Sequence, residues 1–132
     1  MAFLSAPWPN LTSVGTLSTT REGGVSKPPF NSLNLGLHVD DDPEHVLKNR
    51  ALVEQSLPNP PLWLNQVHSA DVLCVDADFN FQTLHSADAL YTKVKNQPLA
   101  IMSADCLPNL FASHDGHEVA AVHGGWRGLE KG

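Results

Sequence analysis

The sequence predicts a fold of the α+β class, a mixed α/β arrangement in which a central sheet is covered by other layers. Three observations carry this expectation. Asp42-Pro43 is a helix-start signal ahead of a run ending at Pro58. Asp115-Gly116 is a hairpin dipeptide between two β-like runs. The second of those runs, HEVAAVH, is apolar on both faces, as expected of a strand that is covered twice.

In chain order, TSVGTLSTT at 12–20 is rich in β-branched residues and reads as a strand, followed by a turn at Arg21-Glu22-Gly23-Gly24 and a loop around Pro28-Pro29. Gly23-Gly24 lies in neither a GxGxxG nor a GxxxxGK[ST] pattern, so it reads as a turn and not as a phosphate cradle. The next element is a helix capped by Asp42, with Pro43 in its first turn. Val46, Leu47, Ala51, Val53 and Leu57 supply its apolar face. LWLNQV and DVLCVD then read as short β-like runs, separated by His68-Ser69-Ala70; an irregular stretch and PLAIMSAD follow. Cys74 and Trp63 read most simply as core residues.

The hairpin fixes a register. With Asp115 and Gly116 as a two-residue loop, paired positions sum to 231, so Cys106 falls opposite Gly125 and His123 opposite Pro108. Cys106 and His123 then share a face as diagonal neighbours, roughly 7–8 Å apart at the backbone. Pro108 cannot donate to a ladder, which places it on an edge or at a strand start.

The 132 residues, 42% hydrophobic and 17% charged, suit one compact domain spanning 1–132. A net charge of −6 with no basic stripe argues against nucleic acid as a partner. Every long uncharged stretch is interrupted before it could cross a bilayer, and the start lacks a signal-peptide pattern, so the expectation is a soluble, cytoplasmic protein with no membrane partner. Cys74 and Cys106 are expected to be reduced thiols.

Thiolate and neutral imidazole are both good zinc ligands, and three protein ligands leave a fourth position for water or substrate. Cys106 and His123 can fill two positions. His68, at the end of LWLNQV beside Asn65 and Gln66, is the best-placed third by type. The same residues admit a metal-free reading in which Cys106 is a nucleophile and His123 its base. In the plainest reading, Cys106 is a small core residue and His123 a satisfied core histidine. Arg127, in Gly124-Gly125-Trp126-Arg127-Gly128, can hold a phosphate or carboxylate, or simply pair with Glu130. Asp88 and Asp105 are carboxylates in apolar surroundings that need partners if buried. Asp105 reads as structural, whereas local sequence leaves the role of Asp88 undecided.

Six segments together resemble one family: TTREGGVS at 19–26, NSLNLGLHVDDDPEHVLKNR at 31–50, WLNQVHSADV at 63–72, SADAL at 86–90, SADCLPNLF at 103–111 and AAVHGGWRGL at 120–129. The family is the YfiH-like one, formerly labelled polyphenol oxidase or laccase-domain proteins and now described as purine nucleoside phosphorylases. The resemblance implies a β-sandwich of mixed sheets with helices outside. It further implies that His68, Cys106 and His123 are zinc ligands at the catalytic centre, and that Arg21, Asn34, Gln66 and Arg127 line the substrate pocket. The implied substrates are phosphate and a purine nucleoside (adenosine, inosine, guanosine or methylthioadenosine), with adenosine deamination as a side activity. The family's chains continue past the WRG segment, so this one resembles an N-terminal fragment and is expected to expose apolar surface.

Two other chemistries fit the same trio: a metal-free Cys/His thiol hydrolase of deamidase type, and a copper-dependent polyphenol oxidase. A blue-copper centre uses two histidines and a cysteine, whereas a coupled multi-copper cluster needs many more histidines, commonly as His-x-His pairs, and the sequence has no such pair. The H-x-E with P-C-x-x-C pattern of the usual nucleobase deaminases is also absent. A non-catalytic module with a structural zinc would normally show a fourth protein ligand. The sequence is silent on oligomeric state.

Overall fold

A computed structural model describes residues 3–5, 8, 11–81, 83–104 and 106–124. The chain divides into two compact units, Met1–Pro58 and Asn59–Gly132. The class is α+β, with one helix and a mixed sheet among the described residues.

In the first unit, β1 (Phe3–Leu4) and β2 (Ser18–Thr19) form a short antiparallel ladder. The strand expected over 12–20 is thus reduced to its last residues, because only the two residues of β1 lie alongside it as a ladder partner. The helix α1 (Pro43–Glu54) forms as the sequence predicts. The Asp42 carboxylate accepts from the Glu44 amide at 3.0 Å, and Pro43 occupies the first turn, where a missing N–H is harmless. Its buried face differs from the expected one: Val46, Asn49 and Val53, spaced i, i+3, i+7, are buried, while Leu47 and Ala51 are exposed. Asn49 displaces the expected apolar residues because the loop before the helix needs a polar anchor. Its side chain accepts from the Val25 amide at 2.8 Å and donates to Ser26 Oγ at 2.9 Å and to the Asn34 carbonyl at 2.8 Å.

The second unit is built on a four-stranded sheet. Its strands are β3 (Val72–Val75), β4 (Ala89–Thr92), β5 (Leu107–Ala112) and β6 (Val119–Gly124), in the order β3-β4-β6-β5. β3 runs parallel to β4, and the other two pairings are antiparallel. The central β4 lies in the stretch that reads as irregular from sequence. It is a strand because Ala89 and Leu90 are buried between two neighbours that are distant in the chain, and no local pattern records that pairing.

The register of the β5–β6 hairpin matches the expected one, with Leu107 opposite Gly124, Pro108 opposite His123 and Leu110 opposite Ala121. Its loop does not. A two-residue type I′ turn needs positive φ at both central residues, whereas here Gly116 has φ 75° and Asp115 does not share it. Ser113 and Glu118 close the turn instead: the Ser113 amide donates to the Glu118 carbonyl at 2.9 Å, and the Ser113 hydroxyl accepts from the Glu118 amide. The Asp115 carboxylate is held by the Ser113 hydroxyl and the His117 amide. The loop is longer but keeps the same centre, so the register survives.

Register also sorts the sheet faces, since cross-strand partners point the same way. Leu73, Val75, Leu90, Ala121 and His123 share one face. Beneath it lies the core of Leu62, Leu64, Val75, Ala87 and Leu90, with Phe79, Leu99 and Ile101 packed against it. Each large apolar side chain removed from water here contributes roughly 1.5–3 kcal/mol. The opposite face carries Val72, Cys74, Tyr91 and Phe111, of which Val72 is 66% and Phe111 56% exposed. The sheet is therefore less fully covered, among the described residues, than the apolar pattern of β6 predicts. Cys74 is correspondingly exposed and not part of the core, because Leu73 and Val75 take the inward positions of β3. Both cysteines are free thiols. No described helix is long and apolar enough to cross a membrane.

Candidate metal centre

The β4–β6 ladder continues one step beyond β4, where the His123 amide donates to the Asp88 carbonyl at 2.7 Å. Asp88 and His123 are thereby cross-strand neighbours on the core face, and the Asp88 carboxylate meets the imidazole directly, Oδ2 to Nδ1 at 2.7 Å. Both residues are buried, Asp88 2% and His123 7% exposed.

A buried carboxylate needs more than one partner, and Asp88 has five. Its Oδ1 accepts from the amides of Val67 and Ser69 and from the Ser69 hydroxyl, and its Oδ2 accepts from the His68 amide and from His123. Burial opposes ionisation, but the Ser69 amide, the imidazole, the Val67 amide and the Ser69 hydroxyl outweigh it and hold the carboxyl at about 2.

Three successive amides, 67 to 69, therefore curl around one anion, which is the nest geometry that backbone forms about negative charge. The curl needs a left-handed residue, and His68 supplies it with φ 58°. For a side chain other than glycine this costs about 1 kcal/mol, which the charged hydrogen bonds offset. A single parallel bridge, Asn65 with Ser86, brings the His68 loop alongside the strand that carries Asp88.

The segment leading to Cys106 runs beside the same loop. Leu62 bridges Leu99, and Gln66 then uses its side chain in place of a ladder: Nε2 donates to the Met102 carbonyl and Oε1 accepts from the Met102 amide, both at 2.8 Å. LWLNQV and residues 98–104 consequently carry isolated bridges and are not paired as regular strands.

These constraints bring His68, Cys106 and His123 together. One ligand atom from each lies within 4.8 Å of the other two, and the His68 and His123 rings meet edge-on with centroids 5.1 Å apart. This is the one group of three or more such ligands among the described residues. One soft thiolate with two imidazoles, one of them backed by a carboxylate, is a donor set suited to a transition metal, so the residues present fit a bound ion.

The other residues singled out in the sequence behave differently. Arg21 and Asn34 belong to the first unit. The Arg21 guanidinium is exposed and donates to the Asn31 carbonyl, while the Asn34 side chain spans Gly36 and Asp41. Gln66, two residues before His68 in the chain, is engaged with Met102. Arg127 and Asp105 fall outside the described residues. Asp88, whose role local sequence leaves undecided, is the carboxylate that meets His123; SADAL read as the start of a buried strand sets Asp88 opposite His123.

The chain matches the family model described as multi-copper polyphenol oxidoreductase laccase over residues 15–132. It is 48% identical over 124 residues to the purine nucleoside phosphorylase YfiH of Escherichia coli, covering 92% of this chain and 50% of that one. It is 47% identical over 131 residues to a purine nucleoside phosphorylase of Pseudomonas aeruginosa, covering 99% and 52%. Among solved structures, a Neisseria meningitidis protein superimposes with a TM-score of 0.90 at 47% identity, over 96% of this chain and 52% of that one. YlmD from Geobacillus stearothermophilus gives 0.87 at 35% identity, over 99% and 52%. The chain spans about half the length of the curated relatives it matches. On this footing, the chain belongs to the multi-copper polyphenol oxidoreductase laccase family, the laccase-domain family that its six sequence motifs resemble.

Proposed function

We propose that this chain carries the metal-binding part of a zinc-dependent purine nucleoside phosphorylase, with His68, Cys106 and His123 as the ligands. The observation that carries the reading is the convergence of these three donors, with a buried carboxylate behind His123. The relatives named as purine nucleoside phosphorylases suggest the reaction class, and a thiolate with two imidazoles is a good zinc ligand set.

In the proposed reaction a phosphate oxygen forms a bond to C1′ of adenosine, inosine, guanosine or methylthioadenosine as the bond from C1′ to the purine nitrogen breaks. The electron pair leaves with the base, and the proton lost by phosphate ends on the base. A bound zinc would supply Lewis-acid stabilisation of the charge that develops, and zinc chemistry is also the basis for adenosine deamination as a side activity. Arg21, Asn34, Gln66 and Arg127 are proposed as substrate-binding residues, with an arginine as the phosphate holder. Gln66 also fixes the segment leading to Cys106 through Met102.

The test is phosphate-dependent release of adenine from adenosine by the zinc-loaded protein. Release should be abolished by chelation and by Cys106→Ala, His123→Ala or His68→Ala. One geometric feature favours a second reading: Cys106, His123 and Asp88 also have the composition of a nucleophile, base and orienting acid. Activity that survives chelation and His68→Ala but not Cys106→Ala would establish that thiol hydrolase instead. Phenol oxidation by the copper-loaded protein, without nucleoside turnover, would establish the oxidase.

A further inference from the structure

We infer that Asp88 is a positioning residue for two of the three donors at once: it dictates that His123 presents Nε2 to the site, and it anchors the backbone of His68. The inference rests on the metal-centre reading above but makes no use of the nucleoside chemistry.

The argument starts from proton count. An ionised carboxylate only accepts hydrogen bonds. Oδ2 lies 2.7 Å from His123 Nδ1, so the ring of neutral His123 must carry its proton on Nδ1. Nε2 is then the nitrogen with a lone pair, the form in which imidazole ligates a metal. The same oxygen accepts the His68 amide at 3.0 Å, while Oδ1 takes Val67 and Ser69. The second ligand's main chain and the first ligand's tautomer are thereby set by one buried group.

Asp88→Asn separates this role from simple packing, because the amide has the same shape but must place an NH2 at one of the two oxygen positions. At the Oδ1 position the NH2 would face the Val67 and Ser69 amide hydrogens, neither of which can withdraw, and only the Ser69 hydroxyl there can turn to accept. At the Oδ2 position it faces the His68 amide and His123, and His123 alone can respond, by moving its proton from Nδ1 to Nε2. The amide therefore settles with NH2 toward His123 and blocks the ligating nitrogen with a proton.

The experiment has two arms, neither of which uses a nucleoside. The first is nitrogen-15 NMR of the histidine rings in the metal-free wild-type protein, which should show His123 as the Nδ1–H tautomer, and as the Nε2–H tautomer in Asp88→Asn. The second is zinc affinity by competition with a chromophoric chelator, alongside thermal unfolding. Asp88→Asn should weaken zinc binding by about 10- to 100-fold, while Ser69→Ala, which removes one donor to Asp88 and leaves the His123 contact, should change it by less than about threefold. A wild-type His123 found as the Nε2–H tautomer overturns the inference, as does Asp88→Asn binding zinc as tightly as wild type. The wild-type tautomer decides the matter even if the variant fails to fold. Zinc binding and the predicted tautomers without any nucleoside turnover would sink the phosphorylase reading and leave this one standing.

Discussion

Asn49 and Asp88 are both buried polar side chains that hold a loop, one in each compact unit, and they differ in where their hydrogen bonds end. Asn49 is neutral and its direct contacts stay in one loop: it is an acceptor for Val25 and a donor to Ser26 and Asn34, all in the segment that precedes its own helix, and Ser26 and Asn34 in turn donate to the Asp41 carboxylate. Asp88 is charged, accepts from five donors, and one of them is a ring that also belongs to the His68–Cys106–His123 group. A network anchored on a neutral amide specifies a backbone path. A charged one that passes through an imidazole also specifies a protonation state, and this marks the second unit as the place to look for function.

The difference predicts unequal consequences. Asp88→Ala strands five donors in a buried site and should destabilise the second unit by about 3–5 kcal/mol in denaturant unfolding, with loss of zinc binding. Asn49→Ala strands fewer groups and should remove about 2–4 kcal/mol from the first unit, with zinc affinity unchanged. Zinc affinity that falls in parallel with stability in Asn49→Ala would erase the distinction between the two networks.

Acid sharpens the comparison, since Asn49 does not titrate. The Asp88 carboxyl lies at about 2 when folded, below its ordinary value of 3.8. The unfolded chain therefore binds the proton first, and stability from this group is complete above about pH 4 and lost as the pH falls toward 2. In the metal-free protein the loss should approach about 2 kcal/mol and should be missing from Asp88→Asn. Smallest of all, Ser69→Ala should cost about 1 kcal/mol, since it removes a single neutral donor while the three amides stay in place.

Much of this arrangement is legible in the sequence wherever the determining interactions are local. The Asp42-Pro43 cap specifies the start of α1, and Asp115-Gly116 centres the hairpin that sets His123 opposite Pro108 even though the turn type differs. The register alone places Cys106 and His123 on one side of the sheet, whereas His68 rests mainly on the family resemblance, because the nest that holds its backbone is organised by a residue far along the chain. β4 reads as irregular and the role of Asp88 stays undecided for the same reason: both are defined by pairings with β3 and β6, which no local periodicity encodes. Asn49 illustrates the complementary failure. An apolar helix pattern selects Leu47, but the need to satisfy Val25 and the Asn34 carbonyl put an amide on the buried face instead.

The central claim is that His68, Cys106 and His123 form one metal centre with room for a further ligand. X-ray absorption at the zinc edge of the loaded protein tests it most directly. The expected result is one sulfur, two imidazole nitrogens and one additional light-atom ligand, with the sulfur signal gone in Cys106→Ala. A zinc environment without sulfur, or one completed by a fourth protein ligand, would contradict it.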